Sequence, residues 1–442
     1  MNSAYLRAVR DASLVRRLGQ VSSLSGLAIE ANGPDVAIGE LCRVIPRIGA
    51  PAILAEVVGV RPGNVTLMPY GSIQGLAAGC DIEAVGMHSE IGVGPALLGR
   101  VIDCFGSPLD DLPMPRVDQQ WPLRPQAPSP MRRPRIEHVL ETGIRAIDGL
   151  LTLGKGQRVG IFAGSGVGKS TLLGMIARHV TADVNVIALI GERGREVREF
   201  IDKQLGEDGL RRSVVIVATA DQPAAARVRA THTAIAISDY FRAQGKQVLL
   251  TMDSVTRFAM ARREIGLSAG EPPTVRGYTP SVFAELPELC ERCGTAPSGG
   301  SITALLTVLV EGDDFNEPIS DSLRAILDGH LVLSRDQAHR GQYPALDVLK
   351  SASRLMPDLC DSAGRSLAQE AIRVLALLER SRQMIDLGAY EAGSNPELDR
   401  ALEKQAGLLA VLRQQEGGVA RAEALRQLQA ALGISAEQGW QT

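Results

Sequence analysis

The sequence predicts an α/β protein: a mostly parallel sheet covered by helices, with a small all-β segment before it and a helical segment after it. Three observations carry that prediction. Strand-sized apolar runs at 158–163, 184–191, 213–219, 246–253, 302–310 and 329–334 alternate with helical stretches, as a parallel sheet with helical crossovers requires. The residues from 21 to about 80 instead show short alternating apolar runs, and those after about 362 lose the strand signal altogether. At 442 residues the chain is also too long for one ordinary core, and its length suggests about three domains.

Taken in order, residues 4–19 suit a helix with Leu6, Val9, Leu14 and Leu18 on one side and Arg7, Arg10, Arg16 and Arg17 mostly elsewhere. Two readings stand: a solvated helix packed on its own domain, or a docking element for a partner or an anionic membrane surface. From 21 the runs are split by Asn32-Gly33-Pro34, Arg61-Pro62-Gly63-Asn64 and Pro69-Tyr70-Gly71, which predicts a small β-barrel or sandwich. Seven prolines between 113 and 134 predict an extended, ordered strap, since neither helix nor central strand tolerates that density. Helices are expected near 364–386, 396–415 and 419–432, with Asn395-Pro396 as a start and Gly417-Gly418 as a break. The expected boundaries are 1–20 for the N-terminal segment, 21–82 for the barrel, 83–361 for the core with its strap at 110–135, and 362–442 for the helical domain.

The chemistry concentrates after the strand 158–163. There Gly164-Ser165-Gly166-Val167-Gly168 leads into Lys169, Ser170 and Thr171. The glycines let backbone N–H groups converge on anionic oxygens, and a helix starting near Lys169 aims its positive end at them. Lys169 reaches β- and γ-phosphates in such a cradle, and the Ser170 hydroxyl binds Mg²⁺. A glycine turn that binds nothing is the plain alternative, and the Gly-Lys-Ser-Thr run after a six-residue strand argues against it. Ala163 stands where the strict pattern has glycine, at a position that ends the strand and need not touch phosphate.

Ligands of open α/β sheets sit at the carboxyl ends of strands. The run 184–190 stops at Gly191-Glu192-Arg193-Gly194-Arg195-Glu196, where Glu192 could polarise a water for in-line attack and Arg193 could neutralise charge on the transferring group. A surface charge cluster is the bland reading of that loop. The run 248–252 ends in Asp253, an apolar run followed by an acid that would hold Mg²⁺ directly or through water.

Composition narrows the classes. A formal net charge of −3 gives no general attraction to nucleic acid, and 3% aromatic residues leave few platforms for stacking bases, so no nucleic-acid partner is expected. The longest apolar run, Ile302–Val310, is strand-sized, and the N-terminal residues lack the unbroken apolar stretch of a secretory signal. Six scattered cysteines fit reduced thiols rather than a disulfide scaffold. Cys290 and Cys293 form one C-x-x-C without a second pair or a nearby histidine, which suits two half-buried helix thiols better than a zinc site.

Together, residues 160–171, 191–196, Glu-Gly-Asp-Asp-Phe-Asn-Glu-Pro at 311–318, Leu-Asp-Gly-His-Leu-Val-Leu-Ser-Arg at 327–335 and Tyr-Pro-Ala-Leu-Asp at 343–347 resemble the type III secretion system ATPases. That family is kin to the flagellar export ATPase and to the catalytic subunit of rotary ATP synthase. The likeness covers nearly the whole chain and is most specific from about 136 to 357. It implies a β-barrel, a RecA-like P-loop core and a C-terminal α-helical domain, assembled as a homohexamer at the base of an export apparatus. It implies ATP and Mg²⁺ as ligands, and secretion chaperone–substrate complexes, stator or regulator proteins and a central stalk as partners. Its place is cytoplasmic, at the periphery of the inner membrane. Residue by residue, the resemblance gives Lys169 and Ser170 to phosphate and Mg²⁺, Glu192 to water activation, Arg193 to the γ-phosphate and Asp253 to the metal. Tyr343 matches an aromatic that stacks on adenine, and Arg354, in Ser-Ala-Ser-Arg-Leu-Met, matches an arginine finger. The loop Gly266–Pro280 matches one that faces the ring channel, against the plainer reading of a surface loop. The Phe315-Asn316-Glu317-Pro318 variant and a short N-terminal stretch resemble the injectisome branch more than the flagellar one. Flagellar export and rotary synthesis remain as alternatives, whereas a nucleic-acid translocase lacks a basic domain and a non-hydrolysing ring subunit would lack Glu192.

Overall fold

Alternating apolar residues give each strand of the N-terminal segment one apolar face, and closing the sheet on itself buries all of those faces together. The computed structural model of the chain describes residues 15–434 apart from 48, 50, 88, 311–314 and 316, with only the backbone of Ser25. Its first six strands are β1 (Leu18–Ser25), β2 (Ala28–Asn32), β3 (Glu40–Ile45), β4 (Ile53–Arg61), β5 (Asn64–Pro69) and β6 (Asp81–Met87). They close as β1-β2-β5-β4-β3-β6, all pairs antiparallel. Val21, Ile29, Val44, Val57, Leu67 and Ile82 fill the interior. Residues Asp221–Arg229 and Met260–Val282 belong to the same compact unit as the barrel.

Two expectations are corrected here. The helix expected over 4–19 lies largely outside the described residues, but its last part is strand: Leu18, Gly19 and Gln20 pair with Glu83, Ile82 and Asp81. The barrel strands therefore run from Leu18 to Met87 rather than from 21 to 82. The physical reason is closure, because a barrel needs its first strand to hydrogen-bond its last, and that long-range pairing overrides a local helical pattern.

The second compact unit is built on a sheet. Short strands β7 (Glu90–Val93), β8 (Arg100–Ile102), β9 (Gln119–Pro122), β10 (Val139–Leu140) and β11 (Leu153–Gly154) precede the main series. That series is β12 (Arg158–Ala163), β13 (Val184–Ile190), β14 (Ser213–Ala218), β15 (Gln247–Asp253), β16 (Gly294–Thr295), β17 (Ser301–Leu309), β18 (Gly329–Leu333) and β19 (Ala352–Ser353). The order is β19-β18-β12-β17-β15-β13-β14-β8, parallel throughout except at the β19 edge, with β16 antiparallel on β17. Every residue of β13 and β14 is buried, as expected for strands covered on both faces. The proline-rich strap is mostly irregular, and β9 within it pairs with β7.

Among the described residues a single helical turn, Met356–Leu359, and three longer helices follow the sheet. Ser362–Asp386 is capped by Asp361, whose side chain accepts from the Gly364 N–H, and Pro396–Leu412 by Asn395, which accepts from Glu397 and Leu398. The third is Arg421–Ala431. Leu367, Ala371, Leu398, Leu408 and Leu428 join the same core as β12 and the helix Lys169–His179. Cys290 and Cys293, expected half-buried, are each 1% exposed. The two thiols fill apolar space, which also pushes both up in pKa by desolvation, Cys293 to about 11.

Candidate active site

The strand β12 ends at Ala163 and the helix Lys169–His179 begins six residues later. Between them Gly166 and Gly168 adopt φ of 78° and 81°, a left-handed conformation that glycine takes without cost. Val167 is buried and anchors the turn, while Ser165, Gly166, Ser170 and Thr171 are exposed. Leu172 N–H closes the first helical bond on the Gly168 carbonyl at 3.0 Å. The backbone N–H groups of the helix's first turn are thereby left free for an anion.

The order β12-β17-β15-β13 sets four strand ends in a row, and the functional groups that follow β12, β15 and β13 meet there. The Lys169 ammonium is bonded to the Asp253 carboxylate and lies 3.7 Å from Glu192 Oε1. Asp253, 3% exposed at the end of β15, also accepts from Thr307 Oγ1 at 2.8 Å. Thr307 comes from β17, where a polar residue inside the apolar run 302–310 was the available signal. Arg257, four residues beyond Asp253, donates to the Gly191 carbonyl and so holds the end of β13 that presents Glu192. Neither Thr307 nor Arg257 was singled out from the sequence.

One cation between two carboxylates leaves the cluster short of positive charge. Burial first, and then the negative charge of Asp253, push the Glu192 carboxyl well above the usual carboxylate range, while Lys169 pulls the other way. Such a site welcomes further cationic character. Its hard oxygen donors, the Asp253 carboxylate and the exposed Ser170 hydroxyl, suit Mg²⁺, which keeps several waters and takes phosphate oxygens rather than filling an all-protein cage.

Tyr343 lies on the other side of the loop, where a Cβ on Gly168 would meet its ring at 3.4 Å. Tyr343 is 38% exposed, and its carbonyl accepts from the Gln414 N–H at 2.8 Å. Gln414 further accepts from the Arg145 N–H and donates to the carbonyls of Gly143 and Gly417, so the helical region is tied to the aromatic flank of the cradle. The two candidate arginines are not part of the buried cluster. Arg193 is 68% exposed and pairs with Glu196 at 3.5 Å, one helical turn on. Arg354 follows the edge strand β19, is exposed, and donates to the Arg324 carbonyl at 3.2 Å.

A glycine cradle after a central parallel strand, with a lysine and two carboxylates at adjoining strand ends, defines the nucleotide-hydrolysing sheet proteins. Family models agree: 143–353 matches the nucleotide-binding domain of the ATP synthase alpha/beta family, 21–86 the beta-barrel domain of that family, and 360–430 the T3SS EscN ATPase C-terminal domain. The chain is 52% identical over 400 residues to the flagellum-specific ATP synthase of Bacillus subtilis, covering 90% of this chain and 91% of that one. It is 50% identical over 389 residues to the type 3 secretion system ATPase of Xanthomonas euvesicatoria, covering 88% of each. The solved structure of the assembled ATPase EscN from the enteropathogenic E. coli type III secretion system superposes with a TM-score of 0.89 at 42% identity, over 94% of this chain and all of that one. EscN solved with its central stalk EscO superposes at 0.86. The chain belongs to the family of type III secretion and flagellar export ATPases, and it is an ATPase.

Proposed function

We propose that this chain hydrolyses ATP to energise type III protein export, releasing chaperones and unfolding substrates at the export gate. The observation that carries the catalytic part is the meeting of Lys169, Glu192 and Asp253 at the ends of β12, β13 and β15, with only β17 between β12 and β15. An ammonium has three donors, and with Asp253 and Glu192 beside it Lys169 retains capacity for a β- or γ-phosphate oxygen. Asp253 and Ser170 would hold Mg²⁺, which when bound would supply charge neutralisation on the phosphates. Glu192, with its affinity for protons raised toward neutrality, orients and polarises the attacking water. The N–H groups of 164–168, with Thr171, cradle the phosphates, and Tyr343 stacks on adenine. Arg193 and Arg354 serve the γ-phosphate, Arg354 as a finger lent to a neighbouring copy in a homohexamer.

EscN, as solved with a central stalk, supports a stalk partner for this chain too. Stator or regulator proteins, chaperone–substrate complexes and a position at the cytoplasmic face of the inner membrane complete the reading. Relatives named for flagella and for type 3 secretion match at 52% and 50%, so identity does not separate the branches, and the injectisome assignment draws on residues 315–318. Complementation of strains lacking either system separates the two branches. The test of the core claim is Lys169→Ala, which removes the charge at the phosphates. Hydrolysis is expected to vanish and nucleotide binding to weaken with the melting temperature unchanged, whereas hydrolysis within a few-fold of wild type overturns the assignment.

A further inference from the structure

Of the three glycines of the cradle, Gly164 is unlike the other two. Gly166 and Gly168 have the positive φ that favours glycine, and Gly164 does not. What a side chain at Gly164 would crowd is a neighbour: a Cβ there would lie 3.0 Å from Nη2, 3.1 Å from Nε and 3.3 Å from Cζ of Arg335, which would have to shift to admit it. The guanidinium is thus laid flat against the first glycine of the phosphate loop. Register explains how it arrives there. β18 runs parallel to β12 with Leu333 beside Ala163, so Arg335, two residues past the end of its strand, reaches Gly164, one residue past the end of the other.

Arg335 is half-buried, and no carboxylate or carbonyl among the described residues is bonded to it. Contrast the other arginines drawn in from solvent nearby: Arg158 is held by Asp328 and Glu291, and Arg257 by the Gly191 carbonyl. The guanidinium nitrogens of Arg335 are not among the buried polar atoms left without a partner, so the fork stands beside the loop uncommitted and open to an arriving anion. The anion that belongs in this loop is a polyphosphate.

We propose that Arg335 is a second phosphate-binding cation of the nucleotide site, contributed by the same chain as the cradle, and that glycine at 164 is there to admit it. The planar fork of a guanidinium suits phosphate oxygens, and it adds to the point charge of Lys169 a second cation at the start of the loop. The assignment rests on the cradle being the nucleotide site.

The test uses the full chain with mant-ATP as probe, read by fluorescence, beside thermal melting without nucleotide. Arg335→Gln is expected to weaken binding by about tenfold or more, as loss of a charged hydrogen bond does, and Arg335→Lys to recover part of it. The nucleotide-free Arg335→Gln protein is expected to melt no lower than wild type, since an unpaired half-buried charge is gone; a merely structural arginine would lower the melting temperature as well. Gly164→Ala is expected to weaken binding in the wild-type background and to add nothing to Arg335→Gln. Binding by Arg335→Gln within twofold of wild type, or losses from the two substitutions that multiply, overturns the proposal. Lys169→Ala is the control: if it too binds mant-ATP normally, the cradle assignment itself fails, whereas a defect in Lys169→Ala alone isolates the failure to Arg335.

Discussion

The middle of the sheet and its β19 edge treat their charged groups in opposite ways. At the ends of β12, β13 and β15, Lys169, Glu192 and Asp253 have side chains 13%, 14% and 5% exposed and contact one another. At the edge, Arg354 is exposed and holds only a main-chain carbonyl. The interior cluster is complete within one chain and rigidly placed by three strands. The edge arginine is a long side chain without a carboxylate partner among the described residues. On the proposed function, a site split this way would be preorganised toward the phosphates of its own chain's nucleotide and left open toward a neighbouring copy.

The sharpest break of that contrast is Arg354→Ala. If the arginine acts on a neighbour's nucleotide, turnover falls by roughly 10³ to 10⁵ while nucleotide binding stays within a few-fold. Wild-type specific activity then drops on dilution as assemblies dissociate. Activity per chain that stays constant down to single chains, tracked by mass photometry, places the whole site in one subunit.

Next in size is Glu192→Gln, which keeps the shape of the interior cluster and removes its base. A loss of about 10² or more in turnover with binding retained is expected in steady-state kinetics and nucleotide titration. Parallel losses in both would make Glu192 structural.

Thr307→Val tests the support behind Asp253. Without the 2.8 Å bond from Thr307 the carboxylate loses its fixed orientation, and the Mg²⁺ concentration for half-maximal ATPase activity is expected to rise by about tenfold. An unchanged Mg²⁺ titration removes Thr307 from the site.

The smallest effect concerns a buried polar cluster with no ligand to serve. His232 is 3% exposed, its Nε2 2.8 Å from Glu285 Oε1 and its Nδ1 3.3 Å from Arg292 Nη1. Burial holds the imidazole down at about 4, against the opposing pull of Glu285. A base with a depressed folded pKa stabilises the fold fully above its unfolded value of about 6.5, and that contribution is lost as pH falls toward 4. The melting temperature of wild type relative to His232→Gln is therefore expected to be constant above about pH 6.5 and to decline below it. A difference independent of pH between 6.5 and 4 refutes the neutral buried histidine.

Much of the site was legible because its signals are local. The turn 164–168 shows itself by glycine spacing, Asp253 by an apolar run that ends in an acid, and Glu192 by a strand that stops at charge. Thr307 and Arg257 escaped because one looks like a lapse in an apolar strand and the other like an ordinary helical arginine. Only pairing of β15 with β17 and packing against Gly191 give them partners. Arg335 was visible as the end of a quoted motif, but nothing in its spacing placed it against Gly164. The N-terminal pattern shows the reverse case, in which a helical periodicity through residue 19 gave way to a strand.

The sequence by itself determined the alternation of strands and helices, the phosphate turn, the proline strap and the helix starts at Asn395-Pro396, since each depends on backbone preferences within a few residues. Tertiary structure alone decided the strand order β18-β12-β17-β15-β13, and with it which strand ends are neighbours. It also decided barrel closure through Leu18–Gln20, and the division between groups held in the cluster and an arginine left at the edge. The reason is that hydrogen-bonded strands and buried charges find their partners across 50 to 200 residues, where the stabilisation comes from burying shared faces and satisfying each other's polar groups. No local pattern encodes that pairing, because the same apolar run would serve equally well in several places of the sheet.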